Sequence, residues 1–378
     1  MKRPIVCTYY FPNWHVDERN EKLHGKGWTE WRVVQHATPR FPGHEQPKIP
    51  LWGYEDEADP KVMTRKIEAA SSHGIDAFVF DYYWFSDGPY RERCLLEGFL
   101  PASNCEDIEF ALMWANHDPI YAHPSSYYNR CMPLWSGDVS PETFLKCTDH
   151  IIKTYFTRPN YLRVRGKLFF SIYRPQAMIE QLGGRQVASI LFRDFRRRVE
   201  EAGLGDLNLD AILYNMGDPE TADERLRQVG FDSCSDYAAN KRGKGFPAFE
   251  YSELTEQNIA QLKPNTESIS IPYNPVIVTG FDNSPRTVQS DMLEDIGYPY
   301  TPIAAHSTPQ EFEKALVKAA EFMNSPDATG DILHISCWNE WTEGAYLEPD
   351  TLYGTGRLEA IREVFGTKIK QKIQKERK

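Results

Sequence analysis

The chain has 378 residues, 41% of them hydrophobic, 26% charged and 13% aromatic, and a formal net charge of −11. That length buries a substantial core and fits one large α/β barrel or two ordinary domains. A surface this acidic repels phosphate backbones, which argues against nucleic acid as a partner.

In chain order, "PIVCTYYFP" (4–12) opens as a strand pattern. The two basic residues before it introduce no adequate apolar stretch or small-residue cleavage site, so the expectation is a cytoplasmic protein, or a periplasmic one whose export signal was removed. A long excursion, 13–59, holds "GWTEW" and "RFPGHEQPKIP". It is followed by an amphipathic helix at 59–74 and strands at 75–84 and 108–117. A helix at 141–156, a strand at 167–175, a helix at 185–203, a strand at 210–218 and a helix at 218–230 come next. The strand at 231–238 leads into a second excursion, 239–274. A strand at 275–283, a helix at 308–322 and a strand at 332–341 complete the series, and "KIKQKIQKERK" (368–378) reads as a solvated basic helix end.

Near-continuous apolar strands alternating with amphipathic helices imply a parallel sheet covered on its outer face. Eight such units predict a single (β/α)8 TIM barrel over 1–378, with long βα loops capping its C-terminal face. A doubly wound open sheet is the runner-up, and it usually carries a glycine-rich phosphate loop. Neither GxGxxG nor GxxxxGK[ST] occurs here. No apolar run reaches eighteen residues, so no integral membrane segment is expected. The seven cysteines (Cys7, Cys94, Cys105, Cys131, Cys147, Cys234, Cys337) are scattered without a CxxC pair, which predicts reduced thiols rather than disulfides or zinc. The dispersed histidines offer no metal-ligand cluster, and no cofactor is expected.

In such barrels the chemistry gathers at the carboxyl ends of the strands. Those ends present Tyr10, then Asp81, Tyr83 and Trp84, then Trp114, Asn116 and His117, then Arg174, Tyr214 and Asp282. The last strand ends in Trp338, Asn339, Glu340 and Trp341. Rings beside amides and carboxylates suit flat, hydroxyl-rich ligands, and sugars fit that description. Packing in the core is the bland reading of each ring taken singly. Trp28, Glu30 and Trp31 of "GWTEW", with His44 of "FPGHEQP", either line the same groove or anchor the first loop. Glu340 and Glu343 stand three positions apart beside tryptophans. Glycoside hydrolysis uses such a pair, one carboxyl kept protonated as acid and the other acting as nucleophile or base. The competing reading is a solvated turn whose glutamates bond backbone amides.

"WNEWTEGAYLEPD", "GWTEW…FPGHEQP" and "GIDAFVFDYYWF" together resemble glycoside hydrolase family 99-like proteins. The likeness is greatest to the WbsX-like bacterial branch associated with polysaccharide loci, and it spans about residues 4–362. The resemblance implies a barrel that hydrolyses α-linked, mannose-like glycans with retention. It implies Glu343 as general acid/base and Glu340 as the base that deprotonates the sugar 2-hydroxyl, giving a transient 1,2-anhydro sugar. The expected partner is an oligosaccharide or polysaccharide, with the oligomeric state left open. A glycosyltransferase of cell-surface polysaccharide assembly is the alternative, although no Asp-x-Asp cluster occurs. A carbohydrate-binding barrel without catalysis is the third.

Overall fold

The computed structural model describes residues 3–213, 219–238, 243–290 and 293–366. Its strands run parallel around a nearly closed (β/α)8 barrel. They are β1 (Ile5–Tyr10), β2 (Ala77–Phe85), β3 (Glu109–Trp114), β4 (Lys167–Ile172), β5 (Leu207–Ile212), β6 (Ser233–Ser235), β7 and β8 (Ile332–Ser336). Strand β1 lies between β8 and β2, with Ile5 opposite Ile332 and Cys7 opposite Ala77. Strand β7 is broken into Tyr273–Asn274, which pairs with β6, and Val276–Val278, which pairs with β8.

Pro275 sits at that break, and its missing N–H interrupts the ladder there. The side chain of Asn274 bridges the seam instead. Its Oδ1 accepts from the Ile332 amide at 3.1 Å, and its Nδ2 donates to Ser235 Oγ at 3.3 Å.

The outer helices are α1 (Pro60–Ser72), α2 (Pro141–Ile151), α3 (Arg185–Glu201), α4 (Pro219–Val229), α5 (Tyr251–Ser268), α6 (Pro309–Met323) and α7 (Gly356–Phe365). Asp59, Ser140 and Thr308 cap α1, α2 and α6, each accepting from a backbone amide of the first turn, and each is followed by proline. The sequence predicts a capping excursion over 239–274, and the structure instead places α5 within it. Pro264 inside that helix breaks the pattern by which it would have been recognised. Helix α7 was not anticipated either, and the basic tail at 368–378 lies outside the described residues.

Alternation along each strand sorts side chains between the barrel interior and the helix layer. Tyr9 faces inward and stacks on His334 at 4.7 Å, whereas Tyr10 faces α1 and donates to Met63 Sδ. Inside the barrel, Asp210 accepts from Ser171, Ser233 and Ser235. Burial pushes Asp210 up to about 6 against the pull of those bonds. The excursion 13–59 folds over the mouth with helices Glu18–His24 and Trp31–Gln35. It forms a second core in which Trp14, Trp31 and Val34 meet Phe11, Tyr83, Trp341 and Tyr346.

Asn274→Ala leaves the buried Ile332 amide without a partner. Urea unfolding is expected to register a loss of about 1–3 kcal/mol, and an unchanged midpoint would refute the account of the seam.

Candidate active site

Strand β8 delivers residues 337–348 to the mouth, and almost every side chain of that stretch is fastened. The Asn339 amide clasps the Phe11 backbone, with Oδ1 accepting from its N–H at 2.8 Å and Nδ2 donating to its carbonyl at 2.9 Å. The same Nδ2 donates to Glu57 Oε1 at 2.9 Å. Trp338 and Trp341 both donate their indole N–H to Glu348, at 3.2 and 2.6 Å. Lys66 of α1 pairs with Glu348 and Glu57 together, all three side chains being buried. Burial raises Glu348, Lys66 draws it down and Glu57 adds to the rise.

Beyond this anchor, Asn339–Glu340 pairs antiparallel with Ala345–Tyr346. Gly344 turns the hairpin at φ 65°, where a Cβ would lie 2.9 Å from the Asp282 amide nitrogen, so the turn requires glycine. The Glu343 carbonyl accepts from that amide at 2.5 Å. The chain thus turns Glu340 and Glu343 to the same side.

A single guanidinium joins them. Arg286, from the short turn Ser284–Thr287, donates from Nη2 to Glu340 Oε1 at 2.8 Å and from Nη1 to Glu343 Oε1 at 2.7 Å. Its Nε donates to Thr342 Oγ1 at 3.0 Å, and the Tyr298 hydroxyl donates to Glu343 Oε1 at 2.9 Å. The Glu340 side chain is 6% exposed and that of Glu343 is 26% exposed, so Glu343 is the member that meets solvent. Burial pushes Glu340 well above the usual carboxylate range. Arg286 opposes that rise, while Glu343, Glu30 and Asp81 reinforce it.

Glu30 lies beneath the pair, fully buried. It accepts from Thr342 Oγ1 at 2.6 Å and from Asn13 Nδ2, with His123 Nδ1 at 2.8 Å. Burial alone would raise it, but His123, Arg286 and Arg91 outweigh that and hold it far below the usual range. Asp81 enters from β2, where its Oδ2 accepts from the Tyr237 hydroxyl at 2.9 Å. Tyr83, two residues on, lies under the Arg91 guanidinium at 4.7 Å. His117 packs edge-on to Tyr83 and beside Tyr173, and burial lowers it. Trp28 stacks on His24 at 4.3 Å.

Several expected sugar contacts are corrected. Tyr10, Trp84 and Trp114 lie on the outward faces of their strands, against Met63, His150 and Phe144 respectively, because their positions have the wrong parity, and Trp338, two residues past the end of β8, packs on Phe78. Trp31 and Trp341 belong to the buried core of the cap, where Trp341 stacks on Tyr346 at 3.8 Å. Asn116 clasps the Arg174 backbone through both ends of its amide, as Asn339 clasps Phe11. Arg174 itself is exposed at the start of the helix Pro175–Gln181.

His44 and Asp282 bind each other at 3.0 Å beneath the turn. His44 Nδ1 accepts from the Arg40 amide, and Asp282 accepts from Gln46 and the Ser284 amide, so neither group is left for a ligand. Tyr214 lies outside the described residues.

Arg286, Tyr298, His123, Arg91 and Tyr237 were not singled out from the sequence as site residues. Only Tyr237 stood at an inspected strand end, whereas Arg286 in "NSPRT" falls three residues past the expected end of β7.

The barrel has a glycoside hydrolase-like fold. The chain belongs to the family described as Glycosyltransferase WbsX, which it matches over residues 6–361. It is 27% identical over 382 aligned positions to the uncharacterised protein WxcX of Xanthomonas campestris pv. campestris, across 95% of this chain and 49% of that protein. The chain thus spans about half the length of the curated relatives it matches. Among solved structures, the GH99 endo-α-mannosidase from Bacteroides thetaiotaomicron superposes with a TM-score of 0.58 at 15% identity, over 100% of this chain and 99% of that one. A glycoside hydrolase-like protein superposes with a TM-score of 0.64 at 15% identity, over 97% and 94%. At this identity the likeness is one of fold, a barrel related to family 99.

Lys66→Met leaves Glu57 and Glu348 facing each other without a cation, at an expected cost of about 3–5 kcal/mol. Protonation removes the unpaired charge, so the deficit in denaturant unfolding is expected to shrink as pH falls. A deficit independent of pH would contradict the charge argument.

Proposed function

We propose that this chain is a retaining glycosidase that cleaves α-linked mannose-like or related polysaccharide, without a cofactor, from within the polymer. The observation that carries the reading is the bridging of Glu340 and Glu343 by Arg286. One guanidinium spanning both carboxylates supports a pair that acts together on one sugar ring, as a two-acid mechanism requires. The α-mannosidase named among the structural relatives supports the choice of sugar.

The two environments suit different roles. Glu343 meets solvent, and its bonds from Arg286 and Tyr298 both fall on Oε1, which leaves Oε2 to carry a proton toward the glycosidic oxygen. Glu340 is deeper, and its raised proton affinity makes it a stronger base than a free carboxylate. In the first step Glu340 takes the proton of the 2-hydroxyl, O2 attacks C1, the C1–O bond to the leaving group breaks, and Glu343 protonates the departing oxygen. In the second step Glu343 takes a proton from water as water attacks C1. The O2–C1 bond opens, and Glu340 returns its proton to O2. Two inversions give net retention.

The family description supports a second reading, transfer of a sugar from an activated donor. Titration with nucleotide sugars separates the two, since a hydrolase of this kind has no need of them.

Glu343→Gln is expected to lower kcat on an α-mannan substrate by about 10²–10⁴-fold, and to recover activity on a glycoside whose leaving group needs no protonation. Glu340→Gln is expected to lose activity on both substrates. Near-wild-type turnover by Glu343→Gln would sink the assignment, as would product of inverted configuration by NMR.

A further inference from the structure

Resting on the glycosidase reading above, we propose that Asp81 is a third acid of the sugar site, its Oδ1 contacting an oxygen of the pyranose bound against Glu340. Asp81 projects from the inward face of β2, four residues before the end of the strand. Only one of its oxygens is engaged: Oδ2 accepts from Tyr237, whereas Oδ1 is buried and has no hydrogen-bond partner. A buried polar atom without a partner is costly. Each such atom calls for a reason, and a catalytic site is one of the recognised reasons.

The surroundings explain why no side chain fills the gap. Tyr9 from β1, Tyr83 from β2 and Tyr237 after β6 bring neutral hydroxyls, and Cys337 after β8 brings a thiol, all of them kept protonated by burial. Glu340 and Glu343 bring two more carboxyls, and Arg91 is the cation whose field reaches Asp81. Burial pushes Asp81 up to about 8, the Tyr237 bond and Arg91 draw it back, and Glu343 adds to the rise. Near neutral pH the side chain is therefore a carboxylic acid that accepts at Oδ2 and can donate from Oδ1. Oδ1 is shielded by the side chains around it, so the proposed contact requires that they part. Above pH 8 the group becomes a carboxylate beside Glu340 and Glu343, and the donated bond is lost.

Asparagine reproduces the shape and the donor of the neutral acid, and alanine removes both. The test is calorimetric titration of α-mannan oligosaccharides into Glu343→Gln protein, alone and combined with Asp81→Asn or Asp81→Ala, at pH 7 and pH 9.5. At pH 7 the Asn combination is expected to bind like its parent, and the Ala combination about tenfold more weakly, the effect of one buried hydrogen bond. Raising the pH is expected to weaken the parent and to leave the Asn combination unchanged. That comparison decides the matter even if the Ala combination fails to fold. Equal binding by a folded Ala combination, or the same pH dependence with and without Asp81, overturns the inference alone. No binding by any of the proteins overturns the sugar reading and the inference with it.

Discussion

The mouth of this barrel depends on a buried ammonium held between two carboxylates. Lys66 reaches from α1 to Glu57, which lies in the cap, and to Glu348, which lies beyond the acid pair. Glu348 in turn receives both indole N–H groups of the WNEW segment, and Glu57 receives the Asn339 amide. The end of the cap, α1 and the stretch after β8 are thereby pinned at one point. Desolvating such a triad costs several kcal/mol per ion, and its use is to fix one arrangement of the chain rather than to add stability. The arrangement fixed here turns Glu340 and Glu343 inward and sends Trp338 and Trp341 into packing.

Inside the mouth, four acids face two arginines, and the acids end up in different states. Glu30 is closest to full compensation, surrounded by donors and by His123, Arg286 and Arg91. Glu340 and Asp81 are dominated by burial, which raises the proton affinity of each. Glu343 is the one open to solvent. Such a spread is how one protein assigns acid and base roles to chemically identical groups. Arg286 couples the two that matter most, since any change in the charge of one carboxyl is felt by the other through a shared donor.

The strand and helix pattern was legible because barrel strands are apolar on both faces and their helices begin at proline after a capping side chain. The acid pair was legible because two glutamates among tryptophans at the end of a strand are unusual. Which ring faced the barrel interior was not legible. Tyr10, Trp84 and Trp114 differ from Tyr9, Tyr83 and Ala115 by a single step, and that step decides between the helix layer and the inside of the barrel or its cap. The two asparagines also misled: an amide bonds a backbone peptide as well as it bonds a hydroxyl, and Asn116 and Asn339 do the former. Arg286 stayed hidden because its partners lie 54 and 57 residues away, where no local pattern reaches.

The break in β7 bears on how the acid pair keeps its position. The ladders flanking Pro275 have only two and three paired residues, and the seam is held to β8 by the Asn274 side chain and by the Pro275 carbonyl, which accepts from the His334 amide at 2.8 Å. That joint is a clasp rather than a weld, and the strand on its far side is β8, the carrier of Glu340 and Glu343. Along the circumference the longer grip on β8 is that of β1, which pairs with it over four residues. A second brace comes from outside the ring, where the helix that supplies Lys66 holds Glu348 just beyond the two acids.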